Sequence, residues 1–345
     1  MKATIFQGPH HVELGERPDP KIKEPTDAIV RVVRACVCGS DLWYYRGITP
    51  REPGPIGHEL IGVIEETGSG VKDLKRGDFV IAPFTYNDGT CANCLAGFQA
   101  NCMQGRPFSI GTDGGQGQFV RSPFADSTLV KVPGSDFSEA MLASFTALSD
   151  VMCTGYHAAV SAKVSAGDTV AVVGDGAVGL CGIISAKKLG AKRIIALSRN
   201  PARQKMAKEF GATDISAERG DEAVQKVMML TDNIGVNAAL ECVGTDEAMQ
   251  TAVGITRVGG MIGAVGVPNY HNFKYQSAFS KNVGLRGGIA PARQYIPELL
   301  PDVLAGRINP GRVFDLHTTL HHIAEAYAAM DERRAIKSLL KVSEI

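Results

Sequence analysis

The chain has 345 residues, a length that predicts about two domains. Its 36 basic and 36 acidic residues balance, and no basic block indicates a nucleic-acid surface. No apolar run approaches the ~20 residues of a membrane helix, and the N-terminus lacks the apolar core of a signal peptide. We therefore expect a cytoplasmic protein with no nucleic-acid or membrane partner. Clustered cysteines in a reducing compartment indicate metal binding or catalysis rather than a disulfide scaffold.

Short strand-like runs fill about the first 150 residues, separated by turns rich in glycine and proline. The clearest runs cover residues 28–35, 60–65 and 79–82. Short strands with frequent turns are typical of a β-barrel or a β-sandwich. Residues 145–162 then show a helical pattern.

Strand-like and helical segments alternate from residue 168 onward. This alternation predicts an α/β domain with a doubly wound parallel sheet. Beyond residue 291, helical segments at 294–304 and 321–331 precede a last strand at 338–342. The strands predicted for the sheet cover residues 169–173, 193–197, 236–242, 261–267 and 282–288.

A glycine motif, G-x-G-x-x-G, joins the first of these strands to a helix predicted at residues 180–189. In this context the first glycine permits a tight turn and the second lets the backbone approach a pyrophosphate. The third lets the helix pack close to the strand, and the helix N-terminus adds partial positive charge. A glycine-rich loop of another α/β protein is the alternative. The positions expected to bind a dinucleotide are Gly174, Gly176, Ala177, Val178 and Gly179.

Cys38 and His58 offer a thiolate and an imidazole, both ordinary zinc ligands, and a nearby carboxylate would complete a set of three. Each residue alone is more often a core residue than a ligand. The residues around them favour the metal. These are Cys38-Gly39-Ser40-Asp41 and Gly57-His58-Glu59-x-x-Gly62, followed by Gly68 and Val71.

These two segments resemble the first-ligand motif and the zinc signature of the medium-chain dehydrogenase/reductase family, and the glycine motif lies where that family has it. The resemblance covers nearly the whole chain. It is to the zinc-dependent alcohol dehydrogenases, in the branch with an aspartate ligand and NADP. It implies a GroES-like β-barrel catalytic domain of residues 1–150, completed by residues 292–345. Residues 151–291 would form a Rossmann domain with a doubly wound parallel sheet, and the active site would lie in the cleft between the two.

The resemblance implies a catalytic zinc on Cys38, His58 and a third ligand on the helix after the barrel. Many members have a cysteine at the third position, whereas this chain has Asp150. Cys153 follows one helical turn later and is the competing ligand. Glu59 is implied to lie close behind the metal and to coordinate it transiently.

The same resemblance implies that Ser40 accepts the alcohol proton and that Asp41 holds the second imidazole nitrogen of His58. In many members the proton then passes to a histidine three residues beyond the serine or threonine. This chain has Trp43 there, and an indole cannot act as a general base. Either water carries the proton, or Trp43 has become a wall of the substrate pocket, which is the hypothesis we adopt.

A second metal lobe is implied by the spacing C-x-x-C-x-x-C-x7-C, which the family uses for a structural zinc. This chain has an aspartate in place of the first cysteine, and an oxygen ligand keeps the total charge the same. The alternative is a lobe that has lost its metal and keeps three thiols. The four positions are Asp88, Cys91, Cys94 and Cys102.

The end of the second strand of the predicted Rossmann domain indicates the cofactor, because NAD-binding folds usually place an acid there for the ribose 2′-hydroxyl. This chain has Ser198 followed by Arg199, with Arg203 four residues on. Without a carboxylate to repel a 2′-phosphate, we expect NADP(H). The alternative is that both arginines are solvated surface residues. Contacts near the nicotinamide are implied for Val265, Gly266, Val267 and Gly287.

We therefore expect reversible hydride transfer between a small secondary alcohol and NADP⁺, giving a ketone or aldehyde, with zinc polarising the oxygen. The resemblance implies an apolar pocket lined by Trp43, Phe84 and Ile110. The alternatives are a polyol or sugar dehydrogenase, a non-catalytic NADPH-binding relative, and a zinc-free quinone or enoyl reductase. The retained zinc ligands weigh against the last two. The family forms dimers and tetramers, so we expect a homodimer or homotetramer.

Overall fold

The computed structural model describes residues 1–273 and 275–345. The chain divides into two compact units. The first consists of Met1–Asp150 together with Pro291–Ile345, and the second of Val151–Ala290. None of the helices in the described residues combines the length and apolar character that crossing a membrane requires.

Runs of β-branched and apolar residues form most of the strands. In chain order the strands are β1 Lys2–Gly8, β2 His11–Glu16, β3 Ala28–Cys36, β4 Gly54–Pro55, β5 Leu60–Thr67, β6 Phe79–Ala82, β7 Thr85–Tyr86, β8 Arg106–Pro107, β9 Phe119–Ser122, β10 Val130–Lys131, β11 Thr169–Val173, β12 Arg193–Leu197, β13 Asp214–Ser216, β14 Val236–Glu241, β15 Thr256–Ala264, β16 Gly284–Gly287, β17 Leu316–Thr319 and β18 Ser338–Lys341.

The first three helices are short, with four or five residues each, and the longer helices begin at residue 139. In chain order the helices are α1 Asp41–Tyr45, α2 Ala92–Leu95, α3 Ala125–Thr128, α4 Glu139–Ser149, α5 Val151–Ser161, α6 Ala177–Lys188, α7 Pro201–Phe210, α8 Gly220–Leu230, α9 Asp246–Ile255, α10 Tyr275–Ser280, α11 Ala292–Leu304 and α12 Ile323–Asp331.

The first unit is built around a seven-stranded sheet in the order β10-β6-β5-β3-β18-β17, with β9 also paired to β3. Smaller sheets with the orders β2-β1-β4 and β7-β8 accompany it. The strand β18 comes from the end of the chain and pairs antiparallel with β3. Two segments far apart in sequence therefore share one sheet. The prediction of a β-rich first half is confirmed, and the C-terminal segment adds β17 and β18 to its main sheet.

The second unit contains a six-stranded sheet in the order β13-β12-β11-β14-β15-β16, and every pair in it is parallel. This is the strand order of a doubly wound α/β sheet. The chain adds β12 and β13 on one side of β11, and then reverses to add β14, β15 and β16 on the other side. The predicted fold class is confirmed for this unit. The carboxyl end of β11 lies at that reversal, where such sheets bind their ligands.

The three glycines of the motif after β11 differ in backbone conformation and in the space around them. Gly174 has φ +119°, which L side chains rarely adopt. A Cβ on Gly179 would lie 2.0 Å from the carbonyl oxygen of Gly174, so the start of α6 packs against the turn with no room for a methyl group. A Cβ on Gly176 would meet nothing within 4 Å, so this face of the turn is open.

The helical prediction for residues 145–162 is correct in kind but wrong in continuity. Two helices occupy this stretch, α4 and α5, and Asp150 separates them with φ −147° and ψ −77°. Asp150 is therefore at a helix break and not on a helix. In the structure α6 begins at Ala177, three residues before its predicted start. The strand β15 ends at Ala264, so Val265 begins the loop beyond it.

We predict that Gly179→Ala destabilises the chain by about 1–3 kcal/mol, because the methyl group has no space beside the Gly174 carbonyl. Gly176→Ala is the matched control, with a compatible φ of −79° and no neighbour for its Cβ. Chemical denaturation of both variants without cofactor measures the difference. Equal free energies of unfolding would contradict the close packing of α6 on the turn.

Candidate functional site

The pairing of β3 with β5 sets the position of Cys38 and His58. Ala35 lies opposite Leu60 in this antiparallel pair. Cys38 follows the end of β3 and His58 precedes the start of β5, so both residues leave the same end of the sheet. Their proximity is a consequence of the strand register.

Ser149 fixes the third group at the same place. Its hydroxyl donates to the carbonyl oxygen of Ala82 at 2.5 Å and accepts from the N–H of Leu60 at 3.2 Å. Its carbonyl oxygen accepts from the N–H of Phe84 at 3.0 Å. Because Ser149 is tied to β5 and β6 in this way, the helix break at Asp150 lies beside His58.

Four predicted ligands form one cluster. A ligand atom from each lies within 4.8 Å of those of the others, and all four residues are buried. The Asp150 Oδ2 atom is 3.6 Å from His58 Nε2 and 3.7 Å from Cys38 Sγ. A thiol, an imidazole and carboxylates are ordinary zinc ligands, so this donor set fits Zn²⁺. The cluster consists of Cys38, His58, Glu59 and Asp150.

Cys153, the competing ligand, lies in α5 in the second unit and belongs to neither of the metal-ligand groups found among the described residues. The break between α4 and α5 separates it from Asp150 in backbone conformation, so the one-turn spacing does not apply. This arrangement supports Asp150 as the third ligand.

Asp41 orients the imidazole from the other side. Its Oδ1 atom lies 3.5 Å from His58 Nδ1, and its Oδ2 atom accepts from the backbone N–H of Cys38 at 3.1 Å. Burial lowers the pKa of His58, but the charges of Asp41 and Cys38 outweigh it and hold that pKa well above its usual range. The site is therefore rich in negative potential, which attracts either a proton or a metal ion.

A buried lysine that the sequence reasoning missed lies behind the cluster. The Lys337 Nζ atom donates to Glu59 Oε1 at 2.9 Å and to the carbonyl oxygen of Val37 at 3.0 Å. The side chains of Lys337 and Glu59 are 1% and 0% exposed. Burial raises the pKa of Glu59, and the charge of Lys337 opposes that rise. The available signal was a lysine directly before a buried C-terminal strand.

The second group of predicted ligands also comes together, at Asp88, Cys91, Cys94 and Cys102. The Asp88 Oδ1 atom accepts from the N–H groups of Thr90 at 2.8 Å and Cys91 at 2.9 Å, whereas its Oδ2 atom is buried without a hydrogen-bond partner. Burial raises the pKa of Asp88, but the backbone hydrogen bonds from Cys91 and Thr90 lower it to about 2. An ionised carboxylate with one unpartnered oxygen beside thiols fits a cation.

Of the four other residues predicted for the substrate pocket and proton transfer, two lie beside the cluster. The Ser40 hydroxyl donates to Cys38 Sγ at 3.2 Å, and the Phe84 ring lies edge-on to the His58 ring at 6.2 Å between centroids. Both therefore adjoin the cluster. Trp43 is half-buried in the short helix α1, and Ile110 is exposed.

In the second unit the cofactor positions surround the carboxyl ends of the parallel strands. Ala177 and Val178 begin α6, and Gly287 ends β16 with a Cβ position only 1.9 Å from the Ala264 carbonyl oxygen. A Cβ on Gly266 would likewise lie only 2.2 Å from the Gly244 nitrogen. The open Gly176 face between these segments fits a dinucleotide phosphate, because backbone N–H groups at a helix start remain available.

The premise that no carboxylate lies near the ribose position is wrong. The Ser198 hydroxyl donates to Asp175 Oδ2 at 2.9 Å, and Arg203 Nη1 lies 3.2 Å from Asp175 Oδ1. Asp175 comes from the glycine motif and reaches the end of the neighbouring strand β12. Arg203 is buried in this ion pair, while Arg199 is exposed and makes no hydrogen bond or ion pair with the described residues.

Comparison with known proteins gives the class of this chain. Residues 24–134 match the family model "Alcohol dehydrogenase GroES-like domain", and residues 177–305 match "Zinc-binding dehydrogenase". The zinc-type alcohol dehydrogenase B of Aspergillus flavus is 33% identical over 100% of this chain and 82% of its own length. An alcohol dehydrogenase of Cupriavidus necator is 30% identical over 97% of this chain and 96% of its own.

The fold comparison agrees. The solved structure of alcohol dehydrogenase TADH from Thermus sp. ATN1 has a TM-score of 0.90 at 34% identity, covering 99% of this chain and 100% of that chain. The chain belongs to the zinc-dependent medium-chain alcohol dehydrogenase family, and the predicted GroES-like and Rossmann fold is confirmed. This family implies zinc and a nicotinamide cofactor, whose sites the residues above fit.

We predict that Lys337→Met destabilises the chain by about 3–5 kcal/mol, because it leaves the buried Glu59 carboxylate without its cation. Lys341→Met is the control, since its ion pair with Glu344 is exposed and contributes about 0–1 kcal/mol. Denaturant unfolding of both variants measures the two effects. A Lys337 variant as stable as the control would contradict a structural role for the buried pair.

We predict two zinc ions per chain, one for each ligand group. Removing one sulfur ligand with Cys94→Ala, on the second group, should leave one zinc and lower the thermal midpoint. Elemental analysis of the purified protein and of this variant counts the metal. One zinc in the parent protein, unchanged by Cys94→Ala, would show that the aspartate-containing lobe has lost its metal.

Proposed function

We propose that this protein catalyses reversible hydride transfer between a small secondary alcohol and NADP⁺. The observation that carries the proposal is the buried convergence of Cys38, His58, Glu59 and Asp150 within 4.8 Å. A non-catalytic relative would have no need for a buried anionic set of this kind, which is unfavourable unless a cation binds it.

The chain's own residues hold the reaction centre. Cys38, His58 and Asp150 would hold the zinc, which supplies Lewis-acid polarisation of the substrate oxygen when bound. Asp41 keeps the imidazole of His58 in one orientation through its contact with Nδ1. Glu59 is held back by Lys337 and would approach the metal only when that ion pair loosens.

Ser40 would accept the alcohol proton. Its hydroxyl lies 3.2 Å from Cys38 Sγ, so a substrate hydroxyl bound beside the ligand group would be within reach of Ser40 Oγ. Trp43 cannot pass the proton onward. We therefore propose that water carries the proton from Ser40 and that Trp43, with Phe84 and Ile110, limits the size of the substrate.

Two features support the finer choices. Asp150 as third ligand is shared with the secondary-alcohol branch that the sequence resembles. The exposed Arg199, directly after Ser198 and without an ionic partner among the described residues, supports binding of the NADP(H) 2′-phosphate. Assembly into a dimer or tetramer stays a prediction.

The experiment is a turnover panel of secondary alcohols, primary alcohols and polyols with NADP⁺ and with NAD⁺, each with and without a zinc chelator. We expect secondary alcohols with NADP⁺ to react fastest and the chelator to remove the activity. Fastest turnover of polyols would replace the substrate assignment with a polyol or sugar dehydrogenase.

Two cysteine variants test the metal ligands. Cys38→Ala should abolish turnover and lose one zinc while NADPH binding stays intact, because the metal site and the glycine motif use different residues. Cys153→Ala, in α5 and outside both groups, is the matched control and should retain zinc and turnover. Loss of zinc and turnover in Cys153→Ala would make Cys153 the third ligand and contradict Asp150, whereas an active Cys38→Ala variant would contradict the catalytic-zinc assignment.

A further inference from the structure

We propose that Asp175, between the first two glycines of the motif, determines how this enzyme discriminates between NAD(H) and NADP(H). The inference rests on the proposed function, because it assumes that a dinucleotide lies on the glycine motif. It involves residues of the second unit alone.

The Asp175 carboxylate occupies the position of the missing ribose acid. The strands β11 and β12 are neighbours, with Val173 opposite Leu197, so the residues that follow them lie side by side. The Ser198 hydroxyl donates to Asp175 Oδ2 at 2.9 Å, and Ser198 is only 4% exposed. An acid normally supplied by the end of the second strand is thus supplied by the glycine loop.

The direction of this hydrogen bond decides what Ser198 offers to a ribose. A hydroxyl has one proton and two lone pairs. The proton of Ser198 is directed to Asp175, so lone pairs are what remains for a ligand. The 2′-hydroxyl of NAD(H) can donate to them. The 2′-phosphate of NADP(H), ionised above its second pKa of about 6, needs donors and meets acceptors and a carboxylate instead.

Arg203 does not reverse this preference. Its guanidinium lies 3.2 Å from Asp175 Oδ1 and 3.3 Å from the Asp175 carbonyl oxygen, and its side chain is 9% exposed. It therefore compensates Asp175 and holds the carboxylate in place. Arg199 is the cation left to attract a 2′-phosphate. Arg199 favours NADP(H) and Asp175 favours NAD(H), so the parent enzyme accepts both cofactors.

The test is fluorescence titration of NADH and NADPH against the purified protein, which needs no turnover. Asp175→Asn removes the charge and keeps the size, and the amide can donate to a phosphate. The ratio of the NADPH Kd to the NADH Kd should fall at least about tenfold. Two unit charges in contact near a protein surface interact with a free energy larger than the one a tenfold change in Kd represents. A ratio that stays at its parent value overturns the proposal.

Asp232→Asn is the charge-matched control. Asp232 is exposed and its charge acts on Arg193, the first residue of β12, at the end of the strand opposite Ser198. The Asp232→Asn variant removes the same charge from the same unit and should leave the Kd ratio unchanged. An equal shift in both variants would show a general effect of net charge and would overturn a specific role for Asp175.

Ser198→Ala gives a second readout if the Asp175 variant does not fold. Because the Ser198 proton is committed to Asp175, this change should leave the NADPH Kd within about twofold of the parent value. In the Asp175→Asn background the freed hydroxyl can donate to phosphate, so the same change should weaken NADPH binding severalfold. A severalfold loss of NADPH affinity in the single Ser198 variant overturns the proposal.

Arg199→Asp separates this inference from the proposed NADP(H) preference. If Arg199→Asp leaves NADPH binding unchanged while Asp175→Asn shifts the Kd ratio, the NADP(H) assignment fails and the role of Asp175 stands. If Arg199→Asp weakens NADPH binding and Asp175→Asn has no effect, the assignment stands and the role of Asp175 fails.

Discussion

The structure of the first unit depends on keeping several charged groups together away from water. Cys38, Glu59, Asp150 and Asp41 place acidic groups around one imidazole at the end of a sheet. Each would be costly to bury alone. The chain compensates on one side with the buried ammonium of Lys337 and leaves the other side to a metal ion. The strand register and the Ser149 hydrogen bonds hold these groups at fixed positions beside one another.

Glu59 and Asp150 therefore have different surroundings, although both belong to the same group of donors. Glu59 contacts a fixed cation and the Cys36 thiol, so its oxygens are already engaged. Asp150 instead contacts His58 and Cys38, which are themselves predicted ligands. A metal bound here would have Asp150 available to it, whereas it would compete with Lys337 for Glu59.

The sequence was sufficient for the fold and for the identity of the clustered residues. Alternating strands and helices predicted the parallel sheet, and ligand types at family spacing predicted both groups of donors. The helix break at Asp150 was not predictable, because residues 145–162 are apolar at helical spacing on both sides of it. Lys337 and Asp175 were missed for a related reason. Their roles arise from contacts with residues 278 and 23 positions away, and no local pattern records them.

The pairing of β18 with β3 has a consequence for how the protein is made. Lys337 directly precedes β18, which pairs with β3 across about 300 residues of chain, and it carries the cation that neutralises Glu59. During synthesis β3 and the predicted zinc ligands are made well before Lys337. Until then residues 34–36 of β3 lack their β18 partner, and Glu59 lacks its cation. The sheet of this unit is therefore incomplete until β18 has been made, and early zinc binding would stabilise the waiting intermediate.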